Sequence, residues 1–149
     1  MQKTTIVDVV YYILSKKEMN SKKIQTMCYY VQGWYVANYG KFLFKEDFEA
    51  WAHGAICPAL YLKFREYETA EIYVSEENAK NVELTKKQKQ FIDLVIKKYR
   101  YYTANELVEY IQKEEPWINA RKGLGNREYS KRIISKNSIK EYFDKRMKE

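Results

Sequence analysis

One histidine and two cysteines are the residues of this sequence best suited to nucleophilic chemistry. His53 and Cys57 lie four positions apart and are the residue types of a nucleophile and its base. Such a pair also needs a group that orients the imidazole and donors for an oxyanion, and this spacing supplies neither. His53, Cys28 and Cys57 do not make up a zinc site either. We therefore expect no catalytic residues, no metal and no cofactor, and a protein that is not an enzyme.

The basic residues are concentrated near the C-terminus and suggest a second kind of chemistry, the binding of phosphate. The formal net charge is +7, and residues 121–148 hold ten basic residues against three acidic ones. Such a density can attract nucleic acid or an acidic protein. Lysine-rich solvated helix faces give the same composition, and no aromatic RNA-binding motif accompanies the charge. A nucleic-acid-binding regulator that uses this basic third is kept as an alternative.

Tyrosine is unusually abundant and points towards protein binding. The chain has 15 tyrosines, several in adjacent pairs such as Tyr29-Tyr30 and Tyr101-Tyr102. Adjacent positions of a helix cannot both face a core, so some of these rings must be exposed. Exposed tyrosine suits a protein interface, because it buries a large area at a low entropic cost.

The first half of the chain is predicted to form helices around one extended segment. Apolar residues at helical spacing predict a helix over 6–16 capped by Thr5, and a longer one that begins after Ser21 and stops at Gly40. Between residues 42 and 52 the pattern changes to that of a short β-hairpin or extended segment, with a charged turn at 45–47. Pro58 then suits the first turn of a helix that runs to about residue 67.

The second half repeats the helical pattern with clear caps. Thr85 opens one helix, and Thr103 begins the next with a capping box. Pro116 interrupts or restarts the backbone, residues 123–126 form a loop, and Ser138 is expected to cap the last helix. The predicted fold class is therefore mainly α, a single compact helical domain over residues 1–149. No apolar run is long enough to span a bilayer, and the two cysteines give no disulfide framework, so we expect a protein of the reducing cytoplasm.

A few large apolar residues are expected to meet in the core of this domain. Leu94→Ala is expected to cost roughly 2 to 5 kcal/mol if Leu94 is fully buried. The expected core residues are Trp34 or Tyr35 with Val31, Leu60, Phe91, Leu94 and Phe143.

Two blocks of residues resemble the signature of a known family. The second is Leu107, Glu114, Pro116-Trp117 and Ala120-Arg121. The first is Lys23-Ile24-Gln25, Tyr29-Tyr30-Val31-Gln32-Gly33-Trp34-Tyr35, Gly40, Leu43-Phe44, Phe48-Glu49-Ala50-Trp51, His53-Gly54, Pro58 and Leu60-Tyr61. Together they resemble the Panacea domain, a family of SocA-like antitoxins and GepA-like phage-associated proteins. The chain departs from it at Ile111-Gln112, where the family commonly has Thr-His, and at Ala55, where a proline is usual.

The resemblance implies a mainly helical cytoplasmic domain that neutralises a toxin encoded beside it by direct binding. Some members resemble adaptors that deliver a partner to a protease, and others occur in prophages and mobile elements. Members that share the fold face unrelated toxins, so the resemblance indicates a class of partner and not its identity.

The candidate partner-binding residues lie at breaks between the predicted helices, where side chains can be presented without being needed for helix packing. Trp51 and Trp117 have a simpler alternative as core anchors, because a buried indole contributes a large apolar area. We expect the two matched blocks to lie close together in space. The predicted site residues are Trp51, His53, Gly54, Tyr61, Pro116 and Trp117.

Overall fold

Helices make up most of the fold, which confirms the mainly α prediction. The computed structural model describes residues 3–149, so the first two residues of the predicted domain lie outside it. The β-strands are β1 (Glu49–Trp51) and β2 (Gly54–Ile56), and a 3₁₀ turn covers Arg65–Tyr67. The helices are α1 (Ile6–Lys16), α2 (Ser21–Tyr39), α3 (Pro58–Phe64), α4 (Glu76–Lys80), α5 (Lys86–Tyr99), α6 (Ala104–Gln112), α7 (Glu115–Ala120) and α8 (Lys136–Met147).

Helix α2 lies at the centre of the molecule and contacts α1, α3, α5, α6, α8 and β2. Its buried residues surround the helix on all sides, as expected of a helix enclosed by neighbours. Gly40 ends it with a left-handed φ of 74°, as predicted. The N-cap is Asn20 and not Ser21, since the Asn20 side chain accepts a hydrogen bond from the backbone N–H of Lys23.

The predicted caps at Thr5, Thr85 and Thr103 are confirmed, each as a capping box. The prediction that Ser138 caps the last helix is wrong, because Ser135 does so and accepts a hydrogen bond from the N–H of Ser138. The reason is tertiary. Ile134 donates its N–H to Phe48, so the chain leaves an extended pairing at residue 135 and the helix begins there.

The hairpin is present, but it lies later in the chain than predicted. Strands β1 and β2 pair antiparallel, with Trp51 opposite Gly54, so the turn is at residues 52–53 and not at 45–47. Residues 42–48 form no strand, because Gln32 of α2 makes hydrogen bonds to two of their backbone groups, which are then not available for strand pairing. Its amide donates to the carbonyl of Phe44 at 2.7 Å and accepts from the N–H of Leu43 at 2.8 Å.

The core contains most of the residues predicted for it. Tyr35, Val31, Leu60, Phe91 and Phe143 are all buried. The prediction for Leu94 is wrong, since its side chain is 65% exposed. The buried residues of α5 are Phe91, Ile92, Val95 and Tyr99, so this helix is rotated and Ile92 takes the place expected for Leu94.

Candidate functional site

Three side chains from the segment after α5 fasten the hairpin to the rest of the molecule. They donate hydrogen bonds to three successive carbonyl groups, those of residues 50, 51 and 52, and each bond is 2.9 Å long. The donors are the guanidinium of Arg121, the indole N–H of Trp117 and the amide of Gln112, in that order. The two sequence blocks are therefore adjacent in space, as expected.

Arg121 is the one charged side chain among these three donors, and only 4% of it is exposed. Besides the carbonyl of Ala50, it donates to the carbonyls of Gly125 and Glu128 at 2.8 and 2.6 Å. Its guanidinium also lies 5.0 Å from the ring centroid of Trp117. Hydrogen bonding to several carbonyls offsets the cost of burying this charge. The sequence shows Arg121 in the second block but not this role.

A third segment of chain pairs with the open side of β1. The N–H of Ala50 donates to the carbonyl of Arg132 at 2.7 Å, and the N–H of Ile134 donates to the carbonyl of Phe48 at 2.8 Å. Glu49 and Ile133 are thereby antiparallel partners. The hairpin is thus widened by residues 132–134, whose position beside β1 the sequence does not predict.

The solvent-facing side of this small sheet carries exposed apolar residues. We call Trp51, Tyr61, Lys131 and Ile133 the outer sheet face. The rings of Trp51 and Tyr61 meet edge to face at 5.1 Å, and the Trp51 indole donates to Glu49 at 2.8 Å. Ile133 is 56% exposed and Tyr61 is 42% exposed, and adjacent exposed apolar groups of this kind are a feature of interaction surfaces.

The six predicted site residues divide between the surface and the interior. Tyr61 and His53 are exposed, and Trp51 is half-buried. The other three are buried: Gly54 lies in the hairpin itself, at the start of β2, and Pro116 and Trp117 lie in α7 behind it. Gly54 has a φ of 123°, a backbone conformation that residues with a side chain rarely adopt, so this tight turn favours glycine.

The cysteines have the opposite environment to that of reactive thiols. Cys28 and Cys57 are free and buried, and burial raises the pKa of both. A nucleophilic cysteine instead has a lowered pKa in an electropositive and partly exposed position. Within residues 3–149, no group of three or more histidine, cysteine or acidic side chains is arranged to hold a metal ion. No helix in this range is long and apolar enough to cross a membrane.

A buried carboxyl group lies at the start of α7, away from the outer sheet face. Glu114 accepts a hydrogen bond from the hydroxyl of Tyr30 at 2.8 Å, and burial raises the pKa of Glu114 to about 7. The Tyr30 hydrogen bond and the charge of Arg146 act in the opposite direction. Tyr30 also stacks on Tyr99 at 4.4 Å, so the carboxyl group is enclosed by aromatic rings.

One family model matches the chain. It is described as an antitoxin SocA-like Panacea domain, and it matches residues 24–118, more than half of the 149 residues. A search of curated proteins and a search of solved structures give no significant match. The matched range contains α2 from residue 24 onwards, the hairpin and two of its three side-chain donors, whereas Arg121 and the segment around Ile133 lie beyond it. The chain therefore belongs to the SocA-like Panacea domain family.

Proposed function

We propose that this protein is a non-catalytic antitoxin that binds a toxin through the outer sheet face. The observation that carries the proposal is the exposed pair of Trp51 and Tyr61 beside Ile133, on a sheet that three side chains fix from behind. The antitoxin-like family supports the same role.

The outer sheet face is ordered before a partner binds. Aromatic rings bury a large area on contact and have few torsions to immobilise. Because the backbone of residues 50–52 is held by Arg121, Trp117 and Gln112, little ordering remains to be done when a partner binds. Two or three residues here can then supply most of the binding energy.

We further propose that the toxin is encoded by an adjacent gene, that both proteins act in the cytoplasm, and that the pair belongs to a prophage or mobile element. Direct neutralisation and delivery to a protease give different results. If the protein acts by covering the toxin, the toxin level stays constant while its activity disappears. If the protein acts as an adaptor, the toxin level falls.

The test is co-expression of the adjacent gene with variants of this chain, scored by growth and by the affinity of the purified pair. Trp51→Ala and Tyr61→Ala are each expected to cost about 2 kcal/mol of binding free energy, or roughly 30-fold in affinity. The matched control is Tyr73→Ala, because Tyr73 is 68% exposed and lies outside the outer sheet face.

All three variants must first show the circular dichroism spectrum and thermal midpoint of the unchanged chain. The proposal fails if well-folded Trp51→Ala and Tyr61→Ala proteins bind and rescue growth as well as Tyr73→Ala.

A further inference from the structure

The segment around Ile133 forms an open edge of the small sheet. Hydrogen bonds to β1 use the carbonyl of Arg132 and the N–H of Ile134, which flank the Glu49 and Ile133 pair. In an antiparallel ladder the residue between two such bonds directs its own N–H and C=O to the other side. The backbone N–H and C=O of Ile133 therefore face away from β1, and no other residue in the described range 3–149 bonds to them.

This edge is also accessible. Tyr129, Lys131 and Ile133 are all exposed, at 76% for Tyr129 and 56% for Ile133. An exposed strand edge whose backbone N–H and C=O lack partners, as at Ile133, is a template on which another strand can pair. Exposed side chains on one face of such a strand add specificity to the backbone pairing.

The charge around the edge indicates what kind of strand fits. Residues 122–132 carry four exposed basic residues and one acidic residue, Glu128, and Glu49, the strand partner of Ile133, is a second acidic residue beside the edge. The Glu128 carboxylate accepts a hydrogen bond from the N–H of Gly125. A second copy of this chain would bring the same positive charges together, and a lysine at an edge is a known device against self-pairing. An acidic strand would gain from the same charges.

We propose that the edge at Ile133 accepts an extended acidic segment of the protein partner as an added β-strand. The added strand lies beside the outer sheet face, so this inference rests on the proposed function and names how the partner is held. Ile133 supplies the backbone hydrogen bonds, and Lys131 and Arg132 attract the acidic side chains.

The first test uses the unchanged chain and a short peptide of alternating glutamate and valine whose two ends are chemically blocked, so that they carry no charge. Amide hydrogen exchange is followed by NMR with and without the peptide. At about 90% saturation the N–H of Ile133 should exchange about tenfold more slowly, because only the free fraction exchanges. The N–H groups of Ala50 and Ile134 are internal controls, since they are already bonded within the free chain.

The second test separates the backbone from the side chain. Ile133→Pro removes the outward N–H and leaves the bonds of Arg132 and Ile134 to β1 in place, and proline is tolerated on such an edge. Ile133→Ala removes the side chain and keeps the N–H. The proline variant should bind the acidic peptide at least about fivefold more weakly than the alanine variant. Unchanged exchange of the Ala50 amide shows that the sheet is intact.

Several results would overturn the inference. One is equal binding of the acidic peptide and a lysine-valine counterpart, and another is protection that avoids Ile133. Self-association of the free chain that Ile133→Pro abolishes would assign the edge to a second copy. Protection of Ile133 by an oligonucleotide and not by the acidic peptide would assign it to nucleic acid. Any of these outcomes contradicts only the added-strand inference, provided that Trp51→Ala still abolishes neutralisation. If Trp51→Ala neutralises the toxin normally, the proposed function itself is wrong.

Discussion

At the scale of single residues, Glu114 is a carboxylic acid held in a largely apolar environment. The residue is only 8% exposed, and one of its carboxyl oxygens has no hydrogen-bond partner in the described chain. The tyrosines that surround it are Tyr29 and Tyr30 of α2, Tyr99 of α5 and Tyr142 of α8, and Arg146 of α8 is the nearby positive charge. The fold therefore favours the protonated form.

This preference predicts how stability depends on pH. The pKa of Glu114 is about 7 in the fold and 4.5 in its ordinary state, so the folded protein binds the extra proton between these values. The contribution of Glu114 is fully present below pH 4.5 and is lost as the pH rises through 7. At about 1.4 kcal/mol per unit, the loss is on the order of 3 kcal/mol.

Glu114→Gln should remove this slope, because glutamine has the same size, still accepts from Tyr30 and does not ionise. The free energy of unfolding in urea is measured for the variant and for the unchanged chain at pH 5 and pH 8. The difference, variant minus unchanged chain, should be about 2 to 3 kcal/mol more positive at pH 8 than at pH 5. Glu115→Gln is the control at the neighbouring exposed position. Identical pH slopes in the two variants would contradict the assignment.

At the scale of elements, the contact between α2 and α8 depends on one glycine. Gly33 lies beneath the ring of Phe143, and a Cβ at Gly33 would come within 2.2 Å of that ring. Phe143 also meets Trp34 edge to face at 5.0 Å, so the ring has little freedom to move aside. The close approach of the two helices therefore requires the absence of a side chain at Gly33.

Gly33→Ala should lower the stability, although alanine normally favours a helix over glycine. Overpacking of this kind costs about 1 to 3 kcal/mol. The thermal midpoint should fall, whereas Gly125→Ala should leave it nearly unchanged, since the nearest atom to a Cβ at Gly125 is 3.9 Å away. A midpoint that rises in Gly33→Ala would show that α8 does not pack on this position.

At the scale of the whole molecule, binding through the positive charge and binding through the outer sheet face differ in how they depend on salt. The formal charge of +7 favours any polyanion, but ion pairs at a protein interface are few and the aromatic anchors are insensitive to salt. A protein that binds nucleic acid neutralises many phosphates at once. Salt therefore distinguishes an antitoxin from the nucleic-acid-binding alternative.

We expect the affinity for the toxin to fall less than about tenfold between 50 and 200 mM salt. A nucleic-acid regulator with six to ten phosphate contacts would lose about 10³ to 10⁵ over the same range. Titration calorimetry with the toxin and with duplex DNA at both salt concentrations measures the difference. Tight DNA binding with the steep dependence, together with weak toxin binding, would favour the alternative.

Most residues of the candidate site are predictable from the sequence, but which of them are exposed and which are buried is not. Trp51 and Tyr61 are placed together at the surface, whereas Pro116 and Trp117 lie behind them. The sequence predicts no role for Ile133, because the mostly polar residues on both sides of it show no strand pattern. A single domain over residues 1–149 and the partner-binding roles stay predictions.

Features that depend only on neighbouring residues are predictable from the sequence. Capping boxes, the left-handed Gly40 and the proline at the start of α3 each act within one helical turn, so their signals are local. The rotation of α5, the start of α8 and the position of the hairpin were decided only by tertiary structure. The three hydrogen bonds that fix the hairpin join residues 60, 66 and 71 positions apart. No local pattern records such a pairing, because it exists only once distant segments have packed together.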